Sequence, residues 1–236
     1  MIWVVLSERH PSETSIMTVS TKVDPPKYEL PKRHEEYYFE DGNVVIQVEC
    51  TLFKVWDGPL RRHSKFFDST NVQEEKPGEL QAGADDEHPI LVLDVKSEDF
   101  ERLLWIVYPL VLGQCRAKTV QDWMAILDLC TKWGINDVKS MASRELSSMD
   151  LDPIEKIEFQ QKNILSAQWA YEAYITVCSR AGPLTVEEGK RLGIEATVKI
   201  FTVREGLEKW GRKKPEDVQK AVCDAFKLEV PKPSKT

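Results

Sequence analysis

DGNVVIQVECTLFKVWDGPLRRHSKFF, residues 41–67, decides how this chain folds. Val44, Ile46 and Val48 alternate with Val45, Gln47 and Glu49, the two-residue period of a strand with one face on a core. Glu49-Cys50-Thr51 is short and mostly polar, enough for a turn. Leu52 to Val55 resumes the β pattern, with Phe53 and Val55 on one face and Lys54 pointing away. The two runs predict a β-hairpin. Gly58-Pro59 breaks the pattern, and Leu60, His63, Ser64, Phe66 and Phe67 follow at roughly helical spacing. A hairpin feeding a short helix that ends in paired aromatics is a packing nucleus rather than a reaction centre.

Working outward, His34 to Phe39 reads as a first strand, ended by the turn signal Asp41-Gly42. Residues 1–34 read as a disordered tail, because Ser, Thr, Pro and charge dominate and Pro25-Pro26 and Pro31 oppose regular structure. The opening MIWVVL is too short for a signal peptide and lacks a basic start and a small-residue cleavage site. Residues 68–88 read as a long, mobile polar loop. Ile90 to Val95, ILVLDV, is nearly unbroken apolar sequence, so it is expected at the centre of its sheet.

The rest is helical. Ser97 is placed to cap a helix whose first turn holds Glu98 and Asp99, which suit its positive end. Phe100, Leu103, Leu104 and Val107 form its stripe, and Trp105, Ile106 and Tyr108 make it apolar nearly all round, so it is expected to be deeply buried or shared with a partner. Thr119 and Asp122 form a capping box ahead of Trp123, Ile126, Leu127 and Cys130, and Gly134 stops that helix. Asn136 is read as the cap of the next. From residue 150 onward, Asp152-Pro153, the Thr185–Glu188 box and Pro215 mark three further helix starts. The fold class is α+β: a small β-sheet surrounded by helices over residues 35–149, then an all-helical extension over 150–228 and a Pro/Lys tail over 229–236.

The chain has 236 residues, 42% of them hydrophobic, enough for a real core. Its net charge of -7 argues against nucleic acid as a direct partner. No run of about 18 apolar residues exists to span a membrane. Five irregularly spaced cysteines without a CxxC fit reduced thiols in the cytoplasm or nucleus.

The chemistry-bearing residues have plain readings. His63-Ser64 are adjacent on a predicted helix and point about 100° apart, so they make no base–nucleophile pair on their own. Asp85-Asp86-Glu87-His88 lacks the alternating ligands of a calcium loop and reads as a solvated acidic loop. Arg212-Lys213-Lys214 reads as a solvated helix end. No phosphate loop and no HExxH is present. No catalytic residue, cofactor site or metal site is expected. Of seven tryptophans, Trp105, Trp123, Trp133 and Trp169 fall on predicted helices and read as core. Trp56 stands at a loop–helix junction and is a candidate contact for a partner, since aromatics are enriched at interface hot spots.

Several separated blocks agree in order with a known family. EEYYFEDGNVVIQVE (Glu35 to Glu49), SEDFERLLW (Ser97 to Trp105), LDPIEKI (Leu151 to Ile157) and the late block Leu184 to Ile200 together make the chain resemble a BTB/POZ domain protein. The form is similar to that of the BTB proteins abundant in mushroom-forming (basidiomycete) fungi, over about residues 34 to 210. The resemblance implies a non-enzymatic protein-interaction module, often a homodimer. Related domains elsewhere act as substrate adaptors for cullin-based ubiquitin ligases or as partners in transcriptional complexes. Two departures stand out. Trp56-Asp57 occupies the place of a usual His and basic pair, and Arg102 sits in the slot where cullin-binding members carry Glu. The expected interaction surface is therefore Trp56 with Phe100, Leu104 and Tyr108 of the apolar helix, meeting a protein partner, foremost a second copy. An adaptor for a cullin scaffold is the second reading, and an enzyme with a pocket near His63 or His88 is the third.

Overall fold

The hairpin is present. β2 (Val44–Val48) and β3 (Thr51–Val55) pair antiparallel from Val44↔Val55 to Val48↔Thr51, leaving Glu49 and Cys50 as the turn. The structure is a computed structural model that describes residues 30–64, 66, 67, 82–209, 211 and 214–230. Residues 1–29 of the predicted tail, 68–81 of the predicted loop 68–88, Trp210, Arg212-Lys213 and the C-terminal residues 231–236 lie outside the described residues. Glu49 adopts a positive φ of 53°, uncommon for a residue with a Cβ. Its carboxylate accepts from Ser97 N at 2.9 Å and Ser97 Oγ at 3.0 Å. Those two bonds hold the Glu49 carboxyl below the ordinary carboxylate range. The hairpin turn thus caps α2 (Ser97–Val107), and Ser97 is the first helical residue rather than the cap.

The outer strands depart from the sequence reading. The sheet order is β1-β3-β2-β4. β1 (Lys32–Tyr38) begins inside the predicted tail and runs parallel to β3, with Lys32 N donating to Cys50 O at 2.9 Å. Polar side chains on this edge strand hide the start from pattern reading. Its ladder is interrupted between Arg33 and Tyr38, where His34 Nδ1 accepts from Glu36 N and Tyr37 N at 3.2 and 3.1 Å. β4 (Ile90–Val92) is parallel to β2 and lies at the sheet edge, not its centre. Ile90, Val92 and, past the strand, Val95 turn inward, and Leu91 and Leu93 stay 61% and 74% exposed. Residues 82–88 form a bonded turn. Gly83 O accepts from Val45 N at 2.8 Å, and the Asp85 carboxylate accepts from Glu87 N and His88 N.

The helix signals fare better because they are local. Among the described residues the eight α-helices are α1 (Asp57–His63), α2, α3 (Val120–Trp133), α4 (Asn136–Ser147), α5 (Pro153–Lys162), α6 (Tyr171–Ser179), α7 (Val186–Lys209) and α8 (Pro215–Phe226). The Thr119/Asp122 box caps α3, Gly134 closes it, and Asp152 caps α5. Ile135, not Asn136, takes the cap position of α4. The result is the α+β fold read from the sequence, a small four-stranded sheet with helices and a helical C-terminal part.

The described residues from Pro31 onward form one compact unit, with two clusters of buried apolar side chains. The first lies between the sheet and α2–α4, where Phe53 meets Phe100 edge-on at 4.9 Å and Phe100 meets Trp133 at 5.8 Å. The second joins α5–α8 through Ile157, Val177, Ile200 and Val222. Each fully buried side chain of this size contributes about 1.5–3 kcal/mol by leaving water. Trp169 packs against both clusters, and its Nε1 donates to Ser143 O at 2.8 Å. Asp128 of α3 fixes the end of α5 by accepting from Lys162 Nζ at 2.6 Å and Asn163 Nδ2 at 2.8 Å.

Candidate interaction surface

The four predicted contact residues separate into two groups. Phe100 and Leu104 are 0% exposed and Tyr108 is 7% exposed, so none of the three presents a surface to a partner. The stripe Phe100, Leu103 and Leu104 is spent on the chain's own core, where Phe53 and Trp133 cover it. The back of α2 is left half-buried at Trp105, Ile106 and Val107. Trp56 is 39% exposed and remains accessible.

Trp56 stands at the N-cap of α1 and stacks on Phe39 at 4.5 Å with 20° between the rings. The Tyr108 hydroxyl donates to Trp56 O, and the Tyr108 ring lies 6.1 Å from both Phe39 and Trp56. Burial pushes the Tyr108 phenol well above the usual tyrosine range, so it stays a donor at any physiological pH. Tyr108 therefore positions the surface instead of belonging to it.

Past Tyr108 the chain exposes a run of apolar residues. Leu110, Val111 and Leu112 are 44%, 55% and 88% exposed. Gln114 N donates to Val111 O at 3.2 Å, closing a turn in which Gly113 has φ 78°. A positive φ at the third position of a turn calls for glycine, and Leu112 is thereby thrust out at the tip. Turn tips are ordinarily polar. These residues were missed in the sequence, although three apolar residues directly before a glycine were the available signal.

Further along the chain, the Arg116 guanidinium lies over the Trp105 ring at 5.0 Å and bonds Glu36 at 2.5 Å. Trp105 Nε1 donates to Glu101 at 3.2 Å, and His34 Nε2 lies 3.6 Å from Glu101. These charged groups and Trp105 are thus paired with one another.

The residues weighed for chemistry are engaged in holding the fold. Ser64 is 2% exposed and its Oγ donates to Trp133 O at 2.9 Å, whereas His63 pairs with Asp137 at 3.3 Å. His88 is occupied by Asp85 at 2.8 Å, and Asp86 by Arg33 and the Tyr38 hydroxyl. A cleft of about 720 Å³ is lined by Glu49, Asp128, Lys132 and Lys162. Glu49 accepts from Ser97, Asp128 accepts from Lys162 and Asn163, and Lys132 Nζ donates to Leu93 O and Asp94 O. Among the described residues no group of three or more His, Cys, Asp or Glu is placed to hold a metal ion. Burial pushes the Cys130 and Cys178 thiols up to about 12, which keeps them protonated and unreactive. Among the described residues no helix is long and apolar enough to cross a membrane.

No protein-family model matches the chain, and no curated protein matches it. What the fold and the surface define is a class: a small sheet with helices, carrying an exposed apolar run at Leu110 to Leu112.

Proposed function

We propose that the chain is a BTB/POZ-like protein-interaction module that forms a homodimer and carries out no chemistry of its own. The observation that carries this reading is the exposed apolar run Leu110 to Leu112, with the half-exposed Trp56 held in place by Tyr108. Neighbouring apolar residues left in water in this way are normally covered by another chain. In a symmetric pair the same patch serves both copies. In the cleft, the bonds of Asp128 to Lys162 and Asn163 and of Lys132 to backbone carbonyls support a structural role for these residues. Arg102 is held by Asp99 at 2.9 Å and Asp122 at 3.1 Å, and Phe100 is in the core, which favours this reading over a cullin adaptor.

The test is the mass of the purified chain in solution. Light scattering at micromolar concentration is expected to give twice the chain mass, and Leu112→Asp to return it to one. A wild-type monomer at that concentration would sink the homodimer. Capture of the chain by a cullin scaffold's N-terminal domain would turn the reading to the adaptor.

A further inference from the structure

A second exposed apolar face lies on the helical C-terminal part, distant in sequence from the patch just described. α7 breaks at Gly193, and beyond the break Ile194, Val198 and Phe201 recur at i, i+4 and i+7. They are 81%, 54% and 64% exposed. This is the spacing of a helix face made to be covered. Phe201 also lines a groove of about 670 Å³ with Pro183, Leu184, Val186, Glu205 and Glu208. Val186 is itself 74% exposed. Glu205 and Glu208 follow Phe201 by one and two turns, and neither carboxylate has a hydrogen bond or ion pair among the described residues. Arg204, on the groove wall, gives its donors to the carbonyls of Val177, Arg180 and Gly182, so it braces the 180–182 segment against α7.

We propose that this groove docks a segment of a different protein that presents one large apolar side chain and a Lys or Arg beside it. The apolar anchor sits over Phe201 and Val186, and the cation meets Glu205 or Glu208. With a rise of 1.5 Å per residue the two carboxylates lie about 6 and 10 Å along the helix from the anchor, which sets the spacing the partner must match. Charge decides the occupant. The rim offers two unpaired carboxylates, and the whole chain carries -7, so a second copy brings like charge to a like rim. A basic apolar segment removes the apolar face from water and pairs the rim in one step. This surface does not depend on the homodimer reading.

Selection of short random displayed peptides on the full-length chain tests the proposal. Wild type is expected to enrich peptides with an aromatic or aliphatic anchor near Lys or Arg. Their binding, followed by fluorescence anisotropy, weakens with added salt and falls about tenfold or more in Phe201→Glu. In the Glu205→Lys, Glu208→Lys double variant the selected charge is expected to reverse to Asp and Glu. That reversal is a gain, which an unfolded variant could not give. The same consensus from all three proteins, or no enrichment over the unselected pool, overturns the proposal. A change in oligomeric state on Phe201→Glu overturns it in favour of a second copy.

Discussion

The Glu188 carboxylate holds three donors at once: Arg180 at 2.7 and 2.5 Å, and Thr185 N at 2.7 Å. With Glu188 N donating to Thr185 Oγ1 at 3.1 Å, this completes the capping box that the residue types at 185 and 188 announce. The Arg180 guanidinium, with the Thr185 backbone, holds the Glu188 carboxyl at about 2, below the 4.5 of an ordinary glutamate. A depressed folded-state value contributes stability that is present above the unfolded value and is lost as pH falls toward the folded one. Glu188→Gln is therefore expected to cost about 1–2 kcal/mol at neutral pH and progressively less between pH 5 and about 2. Urea unfolding of both proteins across that range checks it, and a penalty independent of pH would refute it. Glu49 is the contrary case. Its role as the cap of α2 joins residues 48 apart in sequence, and no local pattern could reveal it. Likewise Ser64 beside His63 suggests chemistry in one dimension, yet its hydroxyl is turned inward to Trp133.

Among the elements, α7 carries the clearest backbone signature. Gly193 has φ 74° and ψ 164°, a region that only glycine enters without strain, and a Cβ there would meet no neighbour. Gly193→Ala is expected to cost about 1–3 kcal/mol through the backbone alone. Gly206, also free of neighbours but inside the helix, is expected to gain about 0.5–1 kcal/mol on substitution by alanine. Thermal melts of the two variants should move in opposite directions, and equal shifts would contradict the break. The sheet shows the limit of pattern at this scale. The alternation in β2 and β3 predicts their pairing, because the turn between them is two residues long. The unbroken run from Ile90 suggests a central strand, but strand order depends on which edge remains free. The apolar helix α2 is likewise amphipathic once Phe53 and Trp133 have claimed one side of it.

Over the whole molecule, the two apolar clusters meet at α5 and Trp169. Phe159 belongs to the first cluster, and Ile154 and Ile157 of the same helix belong to the second. A rigid helix shared by two cores couples their unfolding. Ile157→Ala is expected to cost about 2–4 kcal/mol and to lower amide protection in α3, which lies in the other cluster, by the same amount. Unchanged protection of Ile126 and Leu127 would mean that the clusters open separately. The sequence by itself determined the hairpin, the helix starts marked by a capping box or by proline, and the α+β class. Those follow from side-chain period and from bonds between near neighbours, which the chain order already contains. The tertiary structure alone decided the parallel placement of β1, the edge position of β4, the Glu49 cap and the apolar faces left uncovered. Each of these depends on which surfaces compete for the same core. Of Trp56, Phe100, Leu104 and Tyr108, all apolar by composition, only Trp56 was left outside when that competition ended.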